Sequence, residues 1–218
     1  MIDSIRFKVC GLTSLVDAEF ADRCGAGYLG FIFYPPSPRN LSLAQFAAMQ
    51  VKLPPRKKVA VCVTPTVAEL QSFAAAGADF FQIHFPPDTP LDTLRAWSQA
   101  AGPDRLWLAP KLPPPSDVAP AWLPLAETFL LDTFDAGKFG GTGQTGDWAK
   151  FARHQQAYPG KTWILSGGLT PENIGDALRQ SGARFVDVNS GVESAPGVKD
   201  HAKLKTFAAA LQRASTSG

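Results

Sequence analysis

TWILSGGLTPENIGDALRQSGARFVDVNSGVESAPGVKD, residues 162–200, decides how the chain folds. It holds two short apolar runs, WIL (163–165) and FVDV (185–188), each followed at once by a glycine-bearing turn. The first turn, Ser166-Gly167-Gly168, leads through Leu169 to Thr170 and Pro171, a good N-cap followed by a proline where a helix tolerates one. The second, Asn189-Ser190-Gly191, offers the same small, N–H-rich chemistry about 23 residues on. Glycine lets backbone N–H groups approach a ligand, and a helix N-terminus adds partial positive charge. Side by side, two such turns form an anion site suited to phosphate. Either alone is a weak signal, since a glycine-rich strand-to-helix turn is more often plain architecture.

Outward from this stretch the same rhythm runs along the whole chain. Apolar runs at 6–10, 28–34, 57–63, 78–85, 105–111 and 127–132 alternate with amphipathic segments of roughly 9–14 residues. Helix starts are marked by Thr13 or Ser14, Ser42, Thr64 or Thr66, and Asp147 or Thr145. The segment 91–102 sets Leu91, Leu94, Trp97 and Ser98 on one face, and 199–214 turns Leu204, Phe207, Ala208 and Leu211 inward. Only 110–124 breaks the pattern, because its prolines oppose a regular helix and leave a short helix or a loop. Runs this apolar suit strands covered on both faces, hence a parallel sheet. Eight strand–helix units of about 27 residues, with no linker between them, close most economically into an α/β (β/α)8 barrel, one catalytic domain over residues 1–218. An open doubly wound sheet is the competing architecture. The glycine turns after strands seven and eight favour the barrel, where such turns often hold phosphate.

The formal net charge of +2, without a long basic run, gives no signal for nucleic acid. No apolar run approaches a membrane span, and no signal peptide is visible. Three cysteines, Cys10, Cys24 and Cys62, lack metal-ligand spacing and suit reduced thiols in a cytoplasm. In a barrel the strand C-termini converge on one rim, which receives Cys10, Arg39, His84, Lys111, Asp132 and the two turns. Cys10 reads as a general base ionised by nearby helix N-termini, or as a small buried apolar residue. Asp132 reads as a general acid, or as a carboxylate bonded to its own glycine-rich loop. Arg39 can clamp a carboxylate, or lie on the surface of a proline loop. His84 reads as a rim histidine supporting a neighbour or touching substrate. Cys24, Cys62 and the five tryptophans read as structural.

KVCGLT (8–13), GFIFYPPSPRNLS (30–42), QIHF (82–85), LLDTFDAGKFGGTGQTGDW (130–148), LSGGLTPENI (165–174) and VDVNSGVESAPGVKD (186–200) together resemble the phosphoribosylanthranilate isomerase family of tryptophan biosynthesis. The resemblance implies an Amadori rearrangement of N-(5-phosphoribosyl)anthranilate to 1-(2-carboxyphenylamino)-1-deoxyribulose 5-phosphate, with no metal or organic cofactor. It gives Asp132 the role of general acid at the ribose ring oxygen and Cys10 that of general base at C2. Arg39 takes the anthranilate carboxylate. His84, Gly141, Gly167, Gly168, Asn189, Ser190 and Gly191 fall in the substrate site, where the turns and a following short helix hold the phosphate. The expected partner is a small phosphoribosyl substrate, with no nucleic acid or membrane, in a monomer or homodimer. Phe85 stands where the family commonly has glycine, Gly146 where an apolar or aromatic residue is usual, and Asn189 where serine is more usual. Two other readings are another phosphosugar isomerase or epimerase on this scaffold, and a phosphate-binding module without catalysis.

Overall fold

The structure is a computed structural model that describes residues 5–113, 116–132 and 147–216. Eight parallel strands, β1 (Arg6–Val9), β2 (Tyr28–Phe33), β3 (Lys57–Val63), β4 (Phe80–Phe85), β5 (Leu106–Pro110), β6 (Thr128–Leu131), β7 (Thr162–Leu165) and β8 (Phe185–Val188), form a closed barrel in chain order. Closure is made by β1 against β8, with Arg6 opposite Phe185 and Val9 opposite Val188. Around them lie α1 (Leu15–Arg23), α2 (Leu43–Gln50), α3 (Val67–Ala75), α4 (Leu91–Ala101), α5 (Trp148–Ala157), α6 (Ile174–Ser181) and α7 (His201–Thr216). The barrel wins over the open sheet because every strand finds two parallel neighbours.

The expected caps form where the side chains can reach back. Ser14 accepts from the Asp17 N–H, while Ser42 with Gln45 and Thr66 with Glu69 make capping boxes. Thr64, the alternative start, instead takes a left-handed conformation at φ 40° just after β3. Between β5 and β6 the proline-rich segment makes only a three-ten turn, Pro120–Leu125, in place of an α-helix.

Two boundaries differ from the sequence reading. Thr170 does not cap α6. Its amide donates to Asn173 Oδ1 and its carbonyl accepts from the Asn173 amide, so a separate turn precedes a helix that begins at Ile174. Nor does α7 begin at Lys199. Val198–Lys199 forms β10, which pairs antiparallel with β9 (Glu193–Ala195), and the helix starts two residues later. This hairpin packs on α1: Thr13 donates to the Gly197 carbonyl at 2.6 Å, and the Lys199 amide donates to Asp17 at 3.3 Å.

Strand side chains alternate between two cores. Outward residues such as Phe7, Phe31, Phe81 and Phe129 pack under the helices with Leu94, Trp97, Leu204 and Phe207. Phe85 belongs here. It is buried edge-on against Trp97 and Trp122, at centroid separations of 5.9 and 5.3 Å. Phe85 therefore lies on the helix side of the wall and leaves the lumen untouched. Inward, Tyr28, Phe80, Trp107 and Phe185 plug the N-terminal end of the barrel, with ring centroids 4.9–5.8 Å apart. Among the described residues, a cavity opens toward the strand C-termini.

Candidate active site

The lumen above the aromatic plug is polar. Along β1, Lys8 and Cys10 share the inward parity, and along β8 so do Asp187 and Asn189. Lys8 Nζ donates to Asp187 Oδ2 at 2.8 Å with the two side chains 0% and 4% exposed. A fully buried charge pair of this kind survives only with close geometry. Burial alone would lower the Lys8 pKa, but the charge of Asp187 and hydrogen bonding with Cys10 raise it above its ordinary value. Burial pushes the Asp187 carboxyl up, with Lys8 pulling against it. Asp187 Oδ1 has no partner among the described residues and lines the cavity above.

Cys10 sits just past β1, with its amide bonded to the Val188 carbonyl at 2.9 Å. Burial raises its thiol pKa, and Lys8 is the main influence lowering it. The residue is therefore a thiol at rest. The nearest cation favouring its ionised form is Lys8. Gly30 on β2 makes this contact possible. A Cβ there would stand 2.8 Å from Lys8 Cε and 3.1 Å from Cys10 Sγ, too close for any other residue without displacement.

His84 faces the cavity from β4, with its Nε2 2.9 Å from the Gln82 amide nitrogen. That arrangement makes Nε2 the acceptor and places the proton on Nδ1, as assigned from the bonding pattern. Burial and the charges of Lys8 and Lys111 push its pKa down to about 4, so the ring is neutral. Gln82, itself buried, keeps its Oε1 without a partner among the described residues.

The glycine turns meet. Gly167 and Gly168 adopt φ 90° and 62°, values that disfavour other residues. A Cβ on Gly191 would fall 1.9 Å from the Leu169 carbonyl oxygen, so the second turn lies directly on the first. Ser190–Val192 is a single three-ten turn that forms part of the second glycine turn itself, and β9 follows it where the resemblance implies a short extra helix. Asn173 Nδ2 fixes the first turn by donating to the Gly168 carbonyl at 2.8 Å.

Arg39, from the loop after β2, reaches over Gly11. A Cβ on Gly11 would meet Asn189 Oδ1 at 2.6 Å and Arg39 Cδ at 2.8 Å, and its φ of 69° also favours glycine. Arg39 is not a free surface arginine. Its Nε donates to Glu193 Oε1 at 2.9 Å and its Nη2 to Oε2 at 2.6 Å. Lys199 Nζ, fully buried, donates to Glu193 Oε1 at 2.9 Å and to Asn189 Oδ1 at 2.9 Å.

One cavity at the C-terminal mouth is thus lined by Cys10, Arg39, His84, Asp132, Gly167, Gly168, Asn189, Ser190 and Gly191. Cys10 and Asp132 come from opposite parts of the wall, β1 and the end of β6. Gly141 and Gly146 lie outside the described residues. Sequence reading missed Lys8, Gln82, Asp187, Glu193 and Lys199. The first three carried a signal: each stands two positions before a rim residue and so shares its inward parity.

The family model for N-(5'-phosphoribosyl)anthranilate (PRA) isomerase matches residues 7–210. The chain belongs to the N-(5'-phosphoribosyl)anthranilate isomerase family. Among its relatives, the N-(5'-phosphoribosyl)anthranilate isomerase of Neisseria gonorrhoeae (strain ATCC 700825 / FA 1090) is 36% identical over 214 residues, covering 97% of this chain and 98% of the relative. The crystal structure of phosphoribosyl anthranilate isomerase from Thermus thermophilus superposes with a TM-score of 0.79 at 31% identity, covering 96% of this chain and 99% of the other. A phosphoribosyl anthranilate isomerase solved in complex with reduced 1-(o-carboxyphenylamino)-1-deoxyribulose 5-phosphate matches with a TM-score of 0.73 at 31% identity, covering 94% and 96% of the two chains. The isomerase family thus shares this barrel along its whole length.

Proposed function

We propose that this chain isomerises N-(5'-phosphoribosyl)anthranilate to 1-(2-carboxyphenylamino)-1-deoxyribulose 5-phosphate in tryptophan biosynthesis, with the cavity at the barrel mouth as its active site. The carrying observation is that Cys10, Asp132, Arg39 and both glycine turns line one cavity. The substrate has two anionic ends, and the cavity has two anion-binding features. The glycine turns receive the phosphate through backbone N–H groups, and Arg39 receives the anthranilate carboxylate.

The reacting carbons then lie between Cys10 and Asp132. Asp132 gives its proton to the ribose ring oxygen as the C1–O bond breaks, and the anilino nitrogen lone pair forms the C1=N iminium. The iminium acidifies C2–H, which Cys10 removes as a thiolate once its resting thiol has given its proton to water, and the electron pair forms the C1=C2 bond of an enolamine. Tautomerisation places the ketone at C2 and completes an isomerisation with no net loss or gain of atoms. The positive charge of Lys8 favours the thiolate, and Asp187, whose Oδ1 has no partner among the described residues, stands beside this pair. His84, neutral with its proton on Nδ1, can donate a hydrogen bond without adding charge. General acid and base groups each contribute about 10²–10⁴-fold. Cys10→Ala and Asp132→Asn should accordingly each lower kcat by at least about 10²-fold in a fluorescence assay of phosphoribosylanthranilate turnover. Near wild-type turnover by both would refute the assignment. Complementation of a tryptophan auxotroph lacking this step tests substrate and reaction together. The chain is read as one cytoplasmic catalytic domain, monomeric or homodimeric, acting on a small phosphoribosyl substrate.

A further inference from the structure

The carboxylate of Glu193 stands in an unfavourable place. It is 7% exposed and bonded to Arg39 at the edge of the site, where both ends of the substrate are anionic. A buried carboxylate there would repel the substrate unless its charge were overcompensated. It is. Arg39 covers one side of it, and Lys199 Nζ and the Gly197 amide cover the other, at 2.9 and 3.2 Å. Two cations against one carboxylate leave the cluster net positive, and Arg39 is its member that lines the cavity.

The hydrogen-bond geometry says which part of Arg39 is left to use. A guanidinium has five N–H donors on distinct edges. Glu193 takes the edge formed by Nε and Nη2, with contacts of 2.9, 3.1 and 2.6 Å. Nη1 has no partner among the described residues, so the end formed by Nη1 and Nη2 stays available for a second carboxylate. Lys199 reaches further, bonding both the side chain and the main-chain carbonyl of Asn189, at 2.9 and 3.2 Å. Asn189 opens the second glycine turn. A continuous chain of charge-assisted bonds therefore runs from the phosphate turn through Lys199 and Glu193 to Arg39.

We propose that Glu193, anchored by Lys199, is a positioning residue that fixes the Arg39 guanidinium edge-on and presents its free end to the substrate's aryl carboxylate. The inference rests on Arg39 being the carboxylate-binding residue, as proposed for the function. Glu193 does not compete with the substrate, because each carboxylate uses a different edge. Its contribution is preorganisation: an arginine already held in one rotamer loses less freedom on binding. The same anchoring links the carboxylate end of the site to the phosphate end, and so sets the distance between them.

The test is calorimetric binding of two probes to the whole chain. One is reduced 1-(2-carboxyphenylamino)-1-deoxyribulose 5-phosphate, and the other is its anilino counterpart without the carboxyl group. The ratio of their affinities isolates the carboxylate from the phosphate, and a general loss of fold would not change it selectively. Arg39→Ala should abolish the preference for the carboxyl-bearing probe. Glu193→Gln should lower it by about tenfold or more, on the scale of one charge-assisted hydrogen bond. Arg39→Lys keeps the charge but cannot serve two carboxylates from two edges, and it should lose the preference to a similar extent. It also decides between the outcomes if Glu193→Gln does not fold. A wild-type ratio in Glu193→Gln, or in Arg39→Lys, overturns the proposal. A wild-type ratio in Arg39→Ala removes the carboxylate role of Arg39 and the proposal with it.

Discussion

Replacing Lys8 by Met tests how the lumen holds its charges. The methionine keeps the length of the stem but removes the ammonium. Asp187 would then keep no side-chain hydrogen bond among the described residues, since Oδ2 is bonded to Lys8 and Oδ1 to none of them. At 2.8 Å and an effective dielectric near 20, the lost attraction is of the order of 6 kcal/mol. Part of that returns as desolvation no longer spent on the ammonium, and breaking one side of a buried pair typically costs about 3–5 kcal/mol. That is a large share of the roughly 5–15 kcal/mol that stabilises a domain. The cost depends on pH in a definite direction. Burial already holds Asp187 above its unfolded pKa, and loss of Lys8 raises it further. A group raised in the folded state contributes full stability below its unfolded pKa, near 3.8, and loses it as pH rises through the folded value. Urea unfolding followed by tryptophan fluorescence should therefore show a deficit of about 3 kcal/mol or more at pH 8 and a clearly smaller one at pH 5. The pair replacement Lys8→Met with Asp187→Leu should recover most of it. A deficit below about 1 kcal/mol at pH 8, or one equal at both pH values, would show that the pair is not held as described.

Gly191→Ala forces the two turns apart, because its methyl would overlap the Leu169 carbonyl at 1.9 Å. Competition by inorganic phosphate should weaken by at least about tenfold, with kcat at saturation falling far less than KM rises. Unchanged phosphate competition would remove the turns from the phosphate site. His84, with its pKa held near 4 against 6.5 unperturbed, should stay neutral by NMR at pH 5.5. The unfolded chain binds more protons in that window, so acidification from pH 6.5 toward 4 should destabilise wild type more than His84→Gln. Equal pH profiles for the two proteins would contradict the depressed pKa.

Much of this architecture is carried by local patterning. The runs at 28–34 and 57–63 match β2 and β3 closely, and Ser42 and Asp147 cap α2 and α5 as their positions suggest. Capping needs only a side chain that reaches its own backbone, so a few neighbouring residues suffice. The start of α6 was not readable in this way. Thr170 can cap a helix or close a turn, and Asn173 three residues later decided for the turn. The 193–199 hairpin was hidden for a related reason. Its two strands are very short, and they are held by Thr13 and Asp17 from the far end of the chain.

The sequence by itself determined the alternating order of strands and helices, the placing of Cys10, Asp132 and Arg39 at or just beyond strand ends, and the small residues of both glycine turns. These follow from periodicity and from glycine's freedom, properties of a residue and its near neighbours. Only the tertiary structure decided what each reactive group feels. Lys8 meets Asp187 across 179 residues, and Arg39 meets Glu193 across 154. Whether a cysteine is a thiol or an arginine has a free edge depends on burial and on partners brought together by barrel closure. Electrostatic energy depends on distance in space and on exclusion of water, and separation along the chain encodes neither.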